Sequence, residues 1–163
     1  MGAIIKHKLE DFDSEDYRLI AIHTSRKEDY KVVYFINSIL EINLVRSKED
    51  VDIFTDVGHA FFSFYEYDDI DHHVYWKVVA NKAFLIPESG LDSPLFISAN
   101  HPVTKQGYLL PELKAVDYLI KIEETDSQFE IGTIIERLNT VKLISTAYEI
   151  RQEVLKNKTN LIF

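Results

Sequence analysis

The chain of 163 residues contains no cysteine and few glycines or prolines, five and four respectively. The absence of cysteine excludes disulfide bonds, thiolate zinc sites, iron–sulfur clusters and cysteine nucleophiles. The scarcity of glycine and proline argues against a long flexible linker. No run approaches the roughly 20 apolar residues that a membrane-spanning helix requires. With 46% hydrophobic residues, we expect a single domain, residues 1–163, folded around its own core.

Positive charge is also scarce, because 18 lysines and arginines oppose 27 aspartates and glutamates, for a net charge of −9. Such an acidic surface repels nucleic acid and anionic membranes at long range, and no cluster of basic residues offsets it. The apolar run Ala3–Ile5 is too short for a secretory signal. We therefore expect a cytoplasmic protein that binds neither nucleic acid nor membrane.

Two segments have the pattern of strand, helix and strand. In residues 17–45 and again in residues 116–150, apolar residues at helical spacing lie between two strand-like runs. When the two segments are aligned, several positions coincide, among them Asn37 and Asn139. Two such βαβ units predict an α+β fold, a ferredoxin-like sandwich with two helices on one face of an antiparallel sheet.

Residues 52–115, between the two units, are expected to form an insertion. Its first part is a candidate β-hairpin with arms 59–67 and 73–83, which are rich in aromatic and β-branched residues and flank the polar turn 68–72. Residues 87–108 contain three prolines and two glycines, and this composition predicts an irregular loop.

The hairpin is the candidate working surface. Apolar residues occupy both faces of the strand Phe61–Tyr67, which a sheet covered by helices on one side does not require. Either the same chain covers the second face, which is the commoner outcome, or a partner covers it. The side chains proposed for partner binding are Phe62, Phe64, Tyr65, Tyr75 and Trp76.

Two polar segments resemble ligand sites. The turn Asp68–His73 lacks the alternating ligands, central glycine and distal glutamate of a calcium loop, so we interpret it as a solvated turn. At the junction His23–Ser25 a strand meets a helix, where N–H groups can face an anion. However, no glycine lets a phosphate approach this backbone, and Ser25 is expected to cap the helix. The sequence therefore predicts no metal site and no cofactor.

The segment Leu110–Tyr118 has the pattern [IL]-P-E-x-x-x-V-D-Y and leads into an alternating apolar run. Pro111 fixes its own φ and ends any preceding helix, so the segment predicts a turn that enters a strand. Two interpretations stay open. Glu112 and Asp117 form a carboxylate pair at a pocket mouth with Tyr118 as donor, or they cap backbone N–H groups while Tyr118 packs inward. Turn chemistry favours the second interpretation.

This pattern resembles the signature of a bacterial family named after it, the IPExxxVDY proteins, with Leu110 in place of the first isoleucine. The resemblance extends over the runs Glu15–Thr24 and Arg46–Asp50, the Phe62–Tyr67 aromatics and the ending Asn160–Phe163. It implies a cytoplasmic location and specifies no mechanism.

No Walker loop, GxSxG or HExxH motif is present in the sequence. Together with the two-sided hairpin, this favours a non-enzymatic binding or adaptor module for a protein partner. A small-ligand sensor is the alternative, because ACT domains share the ferredoxin-like layout. An enzyme that uses Glu112 or Asp117 is the least favoured hypothesis. A homodimer is compatible with each, and the ending Asn160–Phe163 is expected to dock on the core or on another subunit.

Overall fold

The structure, a computed structural model, describes residues 17–86, 105–125 and 128–163. In these ranges two α-helices and two antiparallel sheets form an α+β fold, as predicted. The helices are α1 (Asp29–Leu40) and α2 (Ile131–Asn139). The strands are β1 (Tyr17–Thr24), β2 (Val45–Arg46), β3 (Val51–Thr55), β4 (Gly58–Phe62), β5 (Phe64–Asp69), β6 (Val74–Ala80), β7 (Lys82–Ile86), β8 (Gln106–Tyr108), β9 (Tyr118–Glu123) and β10 (Ile144–Ile150).

The larger sheet has six strands in the order β10-β1-β9-β6-β5-β2. Every pair of neighbours is antiparallel, so β9 and β10, which α2 connects, run in the same direction on either side of β1. At its centre Ile120 lies between Ile20 and Val78. Such β-branched residues suit a pleated surface that is buried on both faces. The smaller sheet has four strands in the order β3-β4-β7-β8.

The prediction of the first βαβ unit is confirmed in part. β1 and α1 lie where the pattern predicts them, but the return strand contains only residues 45 and 46. That strand does not lie near β1, since it pairs with β5 at the far edge of the larger sheet. The aligned asparagines have the same role in both units. Asn37 bonds the N–H and C=O of Leu44, and Asn139 bonds those of Ala147, at 2.8–3.0 Å.

The predicted hairpin contributes strands to both sheets, because each of its long arms passes from one sheet to the other. Ser63 separates β4 from β5, and Asn81 separates β6 from β7. β5 and β6 pair with each other, and β6 also pairs with β9, so these two strands belong to the larger sheet. β4 and β7 pair in the smaller sheet. Part of the predicted loop is also strand, since Gln106–Tyr108 forms β8, and residues 87–104 lie outside the described ranges.

Two apolar clusters cover the two faces of the larger sheet. Ile20 and Ile22 of β1 pack in one cluster with side chains of α1 and α2. The alternate residues Leu19 and Ala21 pack in the other cluster, with side chains of the smaller sheet. Because side chains alternate along a strand, both sets of apolar residues in β1 are buried. The same chain therefore covers the second face of the hairpin strands.

The ending of the chain docks on this second cluster. Leu161 is fully buried there, and the Phe163 ring packs edge-on against the Phe64 ring, with 5.2 Å between centroids. Beneath it two lysines of neighbouring strands are buried. Lys121 Nζ donates to the Leu161 carbonyl at 2.9 Å, and Lys77 Nζ donates to the main-chain oxygen of Phe163.

Glu123 pairs with both buried lysines, at 2.5 Å from Lys121 and 2.9 Å from Lys77. Burial raises the pKa of this carboxyl, but the two ammonium groups outweigh burial and lower the pKa below its ordinary value. The buried charges are therefore matched by partners, as charges away from water must be. In the described ranges no helix is long and apolar enough to cross a membrane.

Substitution of two adjacent phenylalanines on β4 tests the two-layer arrangement. Phe62 is 1% exposed in the second cluster, whereas Phe61 is 44% exposed on the opposite face. Phe62→Ala should reduce the free energy of unfolding by about 3–5 kcal/mol, because it leaves a cavity. Phe61→Ala, the matched control, should cost less than about 1 kcal/mol. Urea denaturation measures both, and equal losses would contradict the assignment of the two faces.

Candidate functional site

The signature segment folds around one buried amide, that of Asn81. This residue is 0% exposed where β6 gives way to β7. Its Nδ2 donates to the carbonyls of Leu113 and Val116 at 2.8 and 3.0 Å, and its Oδ1 accepts from the Leu110 N–H at 2.8 Å. A buried amide is tolerated when its donors and acceptors are all paired. Sequence patterns do not identify Asn81 as a functional position, since their only signal is a lone amide inside a long apolar run.

The backbone of Asn81 also holds the signature segment at both ends. Its N–H donates to the Asp117 carbonyl at 2.9 Å, and its carbonyl accepts from the Leu109 N–H at 3.0 Å. The Asp117 N–H in turn donates to the Ile22 carbonyl at 2.9 Å. The segment is therefore attached to the end of β1 as well as to the point where the chain changes sheets.

The Asp117 carboxylate caps backbone at the end of β1. Its Oδ2 accepts from the Thr24 N–H at 2.8 Å, and its Oδ1 accepts from Lys82 Nζ at 2.6 Å. Ser25 does not cap α1, contrary to the prediction. The N-cap is Glu28, whose side chain makes no capping bond, so Ser25 lies three residues too early. This junction is instead closed by Thr24, whose hydroxyl oxygen accepts from the Arg26 N–H at 3.1 Å.

Glu112 caps a different segment. Its Oε1 accepts from the N–H groups of Lys156 and Asn157 at 2.8 and 2.9 Å, and its Oε2 accepts from Asn157 Nδ2 at 2.7 Å. Burial raises the pKa of Glu112, but these hydrogen bonds to the ionised form outweigh burial and lower the pKa to about 2. Glu112 and Asp117 thus bind separate partners, and the structure does not bring them together as a carboxylate pair.

Tyr118 packs inward, as the second interpretation predicts. It is 6% exposed and belongs to the cluster beneath the helices. Burial raises the pKa of its hydroxyl, and the nearby carboxylates Asp29 and Asp117 raise it further. The hydroxyl therefore stays protonated at neutral pH. Within residues 17–86, 105–125 and 128–163 it has no hydrogen-bond partner.

A cavity of about 450 Å³ adjoins Asp117 and Tyr118. It lies between the end of β1, the start of β7 and the start of β9, and Gln106 of β8 also lines it. Its charged and hydroxyl-bearing lining residues are Thr24, Ser25, Arg26, Lys27, Lys82, Asp117 and Tyr118. Glu112 is not among them, so the signature contributes one carboxylate and one phenol to this cavity.

The predicted hairpin side chains are mostly core residues. Phe62 and Phe64 are buried between the two sheets, and Tyr65 and Trp76 are buried beneath the helices. The Tyr75 hydroxyl, which is half-buried, donates to Glu66 Oε2 at 2.7 Å. Burial of four of the five removes them as contact residues for a partner. Among the described residues the Trp76 indole N–H is a buried donor without a hydrogen-bond partner.

The outer face of the smaller sheet carries exposed aromatic residues instead. The register pairs Phe54 with His59 and His59 with Ile86, so these side chains share one face, which Phe61 and Phe84 extend. The Phe54 and His59 rings stack with 3.7 Å between centroids. Phe54 and Phe84 are 71% and 68% exposed. We call this surface the aromatic face, and its members are Phe54, His59, Phe61, Phe84 and Ile86.

The turn Asp69–His73 is closed by its own side chains. The Asp69 carboxylate accepts from the His72 N–H at 3.3 Å and lies 2.9 Å from His72 Nδ1. In the part of the chain that the structure describes, no group of three or more histidine, aspartate or glutamate side chains could hold a metal ion.

The chain matches no protein-family model, no curated protein and no solved structure. The family suggested by Leu110–Tyr118 therefore stays a prediction.

Removal of the Asn81 amide tests its role in holding the signature segment. Asn81→Ala should reduce the free energy of unfolding by about 3 kcal/mol or more, because two carbonyls and one N–H lose their partner in the core. Asn43→Ala, at an exposed asparagine, should change it by less than about 0.5 kcal/mol. Chemical denaturation measures both values, and a tolerated Asn81→Ala would contradict the proposed role.

The depressed pKa of Glu112 predicts a pH-dependent contribution to stability. Its folded-state pKa of about 2 lies below the ordinary 4.5, so its stabilisation is present above pH 4.5 and is lost as the pH falls toward 2. Glu112→Gln should therefore be less stable than the wild type at pH 6, and the difference should shrink between pH 4.5 and 2. Urea denaturation across this range measures the difference. Glu153→Gln, at an exposed carboxylate of the same region, should show no such trend.

Proposed function

We propose that the protein is a non-enzymatic binding module whose working surface is the aromatic face. One observation carries this proposal: four large apolar side chains and His59 lie together on the solvent side of the smaller sheet. An antiparallel sheet that faces water normally presents polar side chains there. Contiguous exposed apolar surface is typical of interaction sites, and aromatic residues are enriched in interface cores.

The partner that fits this surface is a protein segment with apolar side chains flanked by basic residues. The apolar part would cover Phe54, Phe61 and Phe84. The partner's basic residues are expected because this chain carries a net charge of −9. A carboxylate also lies within the aromatic face, since Asp52 Oδ2 is 3.1 Å from His59 Nε2. Opposite charge favours encounter and orientation, whereas an acidic partner would be repelled.

The placement of the carboxylates supports a non-enzymatic function. A general acid–base pair requires two groups that converge on one cleft. Glu112 bonds the segment at 156–157, whereas Asp117 bonds Thr24 and Lys82. Both carboxylates thus have structural partners, and only Asp117 adjoins a cavity.

A small-ligand sensor is a second candidate function, and the cavity beside Asp117 and Tyr118 favours it. The strand order of the larger sheet also favours a ligand sensor. We propose that β10-β1-β9-β6 corresponds to a ferredoxin-like core with both helices on one face, because β9 and β10 flank β1 and α2 connects them. Ligand-sensing ACT domains share this layout, which makes the argument one of fold analogy.

Site-directed photocrosslinking tests the binding module. A photoreactive benzoylphenylalanine in place of Phe84 or Phe54 should give a discrete, light-dependent adduct in the native host. The same group in place of Tyr34 or Ile70, which are equally exposed, should give none. Adding Phe61→Ser should reduce the adduct at least about tenfold, as loss of a central interface residue does.

Mass spectrometry of the adduct then identifies the partner and the crosslinked peptide. A partner peptide with apolar and basic residues supports the proposal, and an adduct with a second copy identifies a homodimer instead. Absence of an adduct from the aromatic face, or the same adduct from the Tyr34 and Ile70 positions, contradicts it.

A further inference from the structure

We propose that the cavity beside the signature binds a small organic anion through Arg26, Lys27 and the Tyr118 hydroxyl. The inference rests on the second candidate function, the ligand sensor, and specifies its site and ligand class. The binding groups named here do not belong to the aromatic face, although Phe84, a member of that face, also lies at the margin of the cavity.

The charges around the cavity favour an anion. Three cations and one carboxylate line it, and the carboxylate, Asp117, is already paired with Lys82 at 2.6 Å. Arg26 and Lys27 are exposed at its margin, and neither side chain has an ion-pair partner in the described ranges. In a chain with a net charge of −9, two cations side by side without acidic partners are a local exception.

The acids nearest these cations bond mainly to other groups, although Arg26 contributes to the lowered pKa of Glu28, and Glu28 and Asp29 both raise the pKa of Tyr118. Glu28 is the nearest in sequence, and its Oε1 pairs with Lys31 Nζ at 3.0 Å. Asp29 begins α1, and its Oδ1 accepts from the Tyr30 N–H at 2.8 Å. Neither acid lines the cavity.

Tyr118 supplies the second, independent observation. It lines the cavity and is more than nine-tenths buried, and its hydroxyl has no hydrogen-bond partner among the residues that the structure describes. The hydroxyl oxygen is not enclosed by protein, so a ligand oxygen in the cavity can reach it and accept its hydrogen bond. Because burial raises the pKa of this hydroxyl, it stays a donor at neutral pH.

The remaining lining defines the size and character of the ligand. A volume of about 450 Å³ suits a metabolite rather than a lone ion. Gln106 offers an amide, and Phe84 offers an exposed ring at the margin. A carboxylate or a phosphate group would satisfy the guanidinium of Arg26 in the same way, since both accept two parallel N–H bonds.

Backbone amide NMR of the full chain tests the proposal with small probes. Inorganic phosphate, acetate and the neutral acetamide are titrated separately at constant ionic strength. Phosphate or acetate should give saturable shifts at Thr24, Ser25 and Gln106, with dissociation constants on the order of millimolar for such fragments. Acetamide, which has the shape of acetate without its charge, should bind at least about tenfold more weakly.

Two variants connect the binding to the named groups. Arg26→Gln combined with Lys27→Gln should weaken anion binding at least about tenfold, whereas Lys48→Gln combined with Lys158→Gln removes the same charge elsewhere and should have little effect. Tyr118→Phe should weaken binding about tenfold and leave the melting temperature unchanged or higher, because the hydroxyl lost has no protein partner.

The outcomes separate the two claims. Saturable binding of phosphate but not of acetate, or of acetate but not of phosphate, supports the site and identifies which anion it binds. If acetamide binds as tightly as acetate, the proposal that the ligand is an anion is wrong, whereas the proposed ligand-sensor function still stands. No saturable shift with any of the three probes overturns the anion site and removes the cavity as support for the sensor. Equal weakening by the Lys48 and Lys158 control also overturns the proposal, since it would indicate general charge attraction.

Discussion

The pairing of one buried amide is the constraint on which the arrangement of this molecule depends. A polar group deep in the core is costly unless every donor and acceptor finds a partner, and Asn81 finds them on the segment between Leu109 and Asp117. Asn81 also stands where the chain leaves the larger sheet for the smaller one. The change of sheet and the path of the signature are therefore fixed together. The Asp117 carboxylate lies against Thr24 and Lys82 as a result, and the cavity is formed where these elements meet.

The passage of two strands between the sheets explains both the buried and the exposed aromatic residues. In the larger sheet, β5 and β6 contribute side chains to both apolar clusters, so Phe64 and Tyr65 are buried on opposite sides. In the smaller sheet the inner face packs in the second apolar cluster, whereas Phe54, Phe61 and Phe84 are exposed on the outer face. The same alternation that buries Phe62 therefore leaves Phe61 and its neighbours at the surface.

Local patterns predicted the parts of the fold that local physics determines. Tyr17–Thr24 was predicted as a strand from its apolar run, and the α1 stripe from its spacing. The alignment of Asn37 with Asn139 indicated similar local architecture, and the structure gives the two amides equivalent contacts. Patterns did not show where strands change sheets, because Ser63 and Asn81 resemble ordinary polar positions within a strand. For this reason the aromatic residues were assigned to one hairpin, and the exposed members Phe54 and Phe84 were missed. Of the candidate site, the sequence identified Asp117 and Tyr118 but not the basic residues beside them.

The docked ending has a consequence for how the molecule is made. Leu161 fills the second cluster, and its carbonyl receives the ammonium group of the buried Lys121. β1, near the other end, pairs with β10. A nascent chain emerging from the ribosome can form α1 and the β5–β6 pair early, because these contacts are local. It cannot complete the larger sheet until β10 has been synthesised, and Lys121 gains its bond to the Leu161 carbonyl later still. The second core layer therefore closes late in folding, when Leu155 and Leu161 become available to fill it, and until then its apolar surface remains exposed.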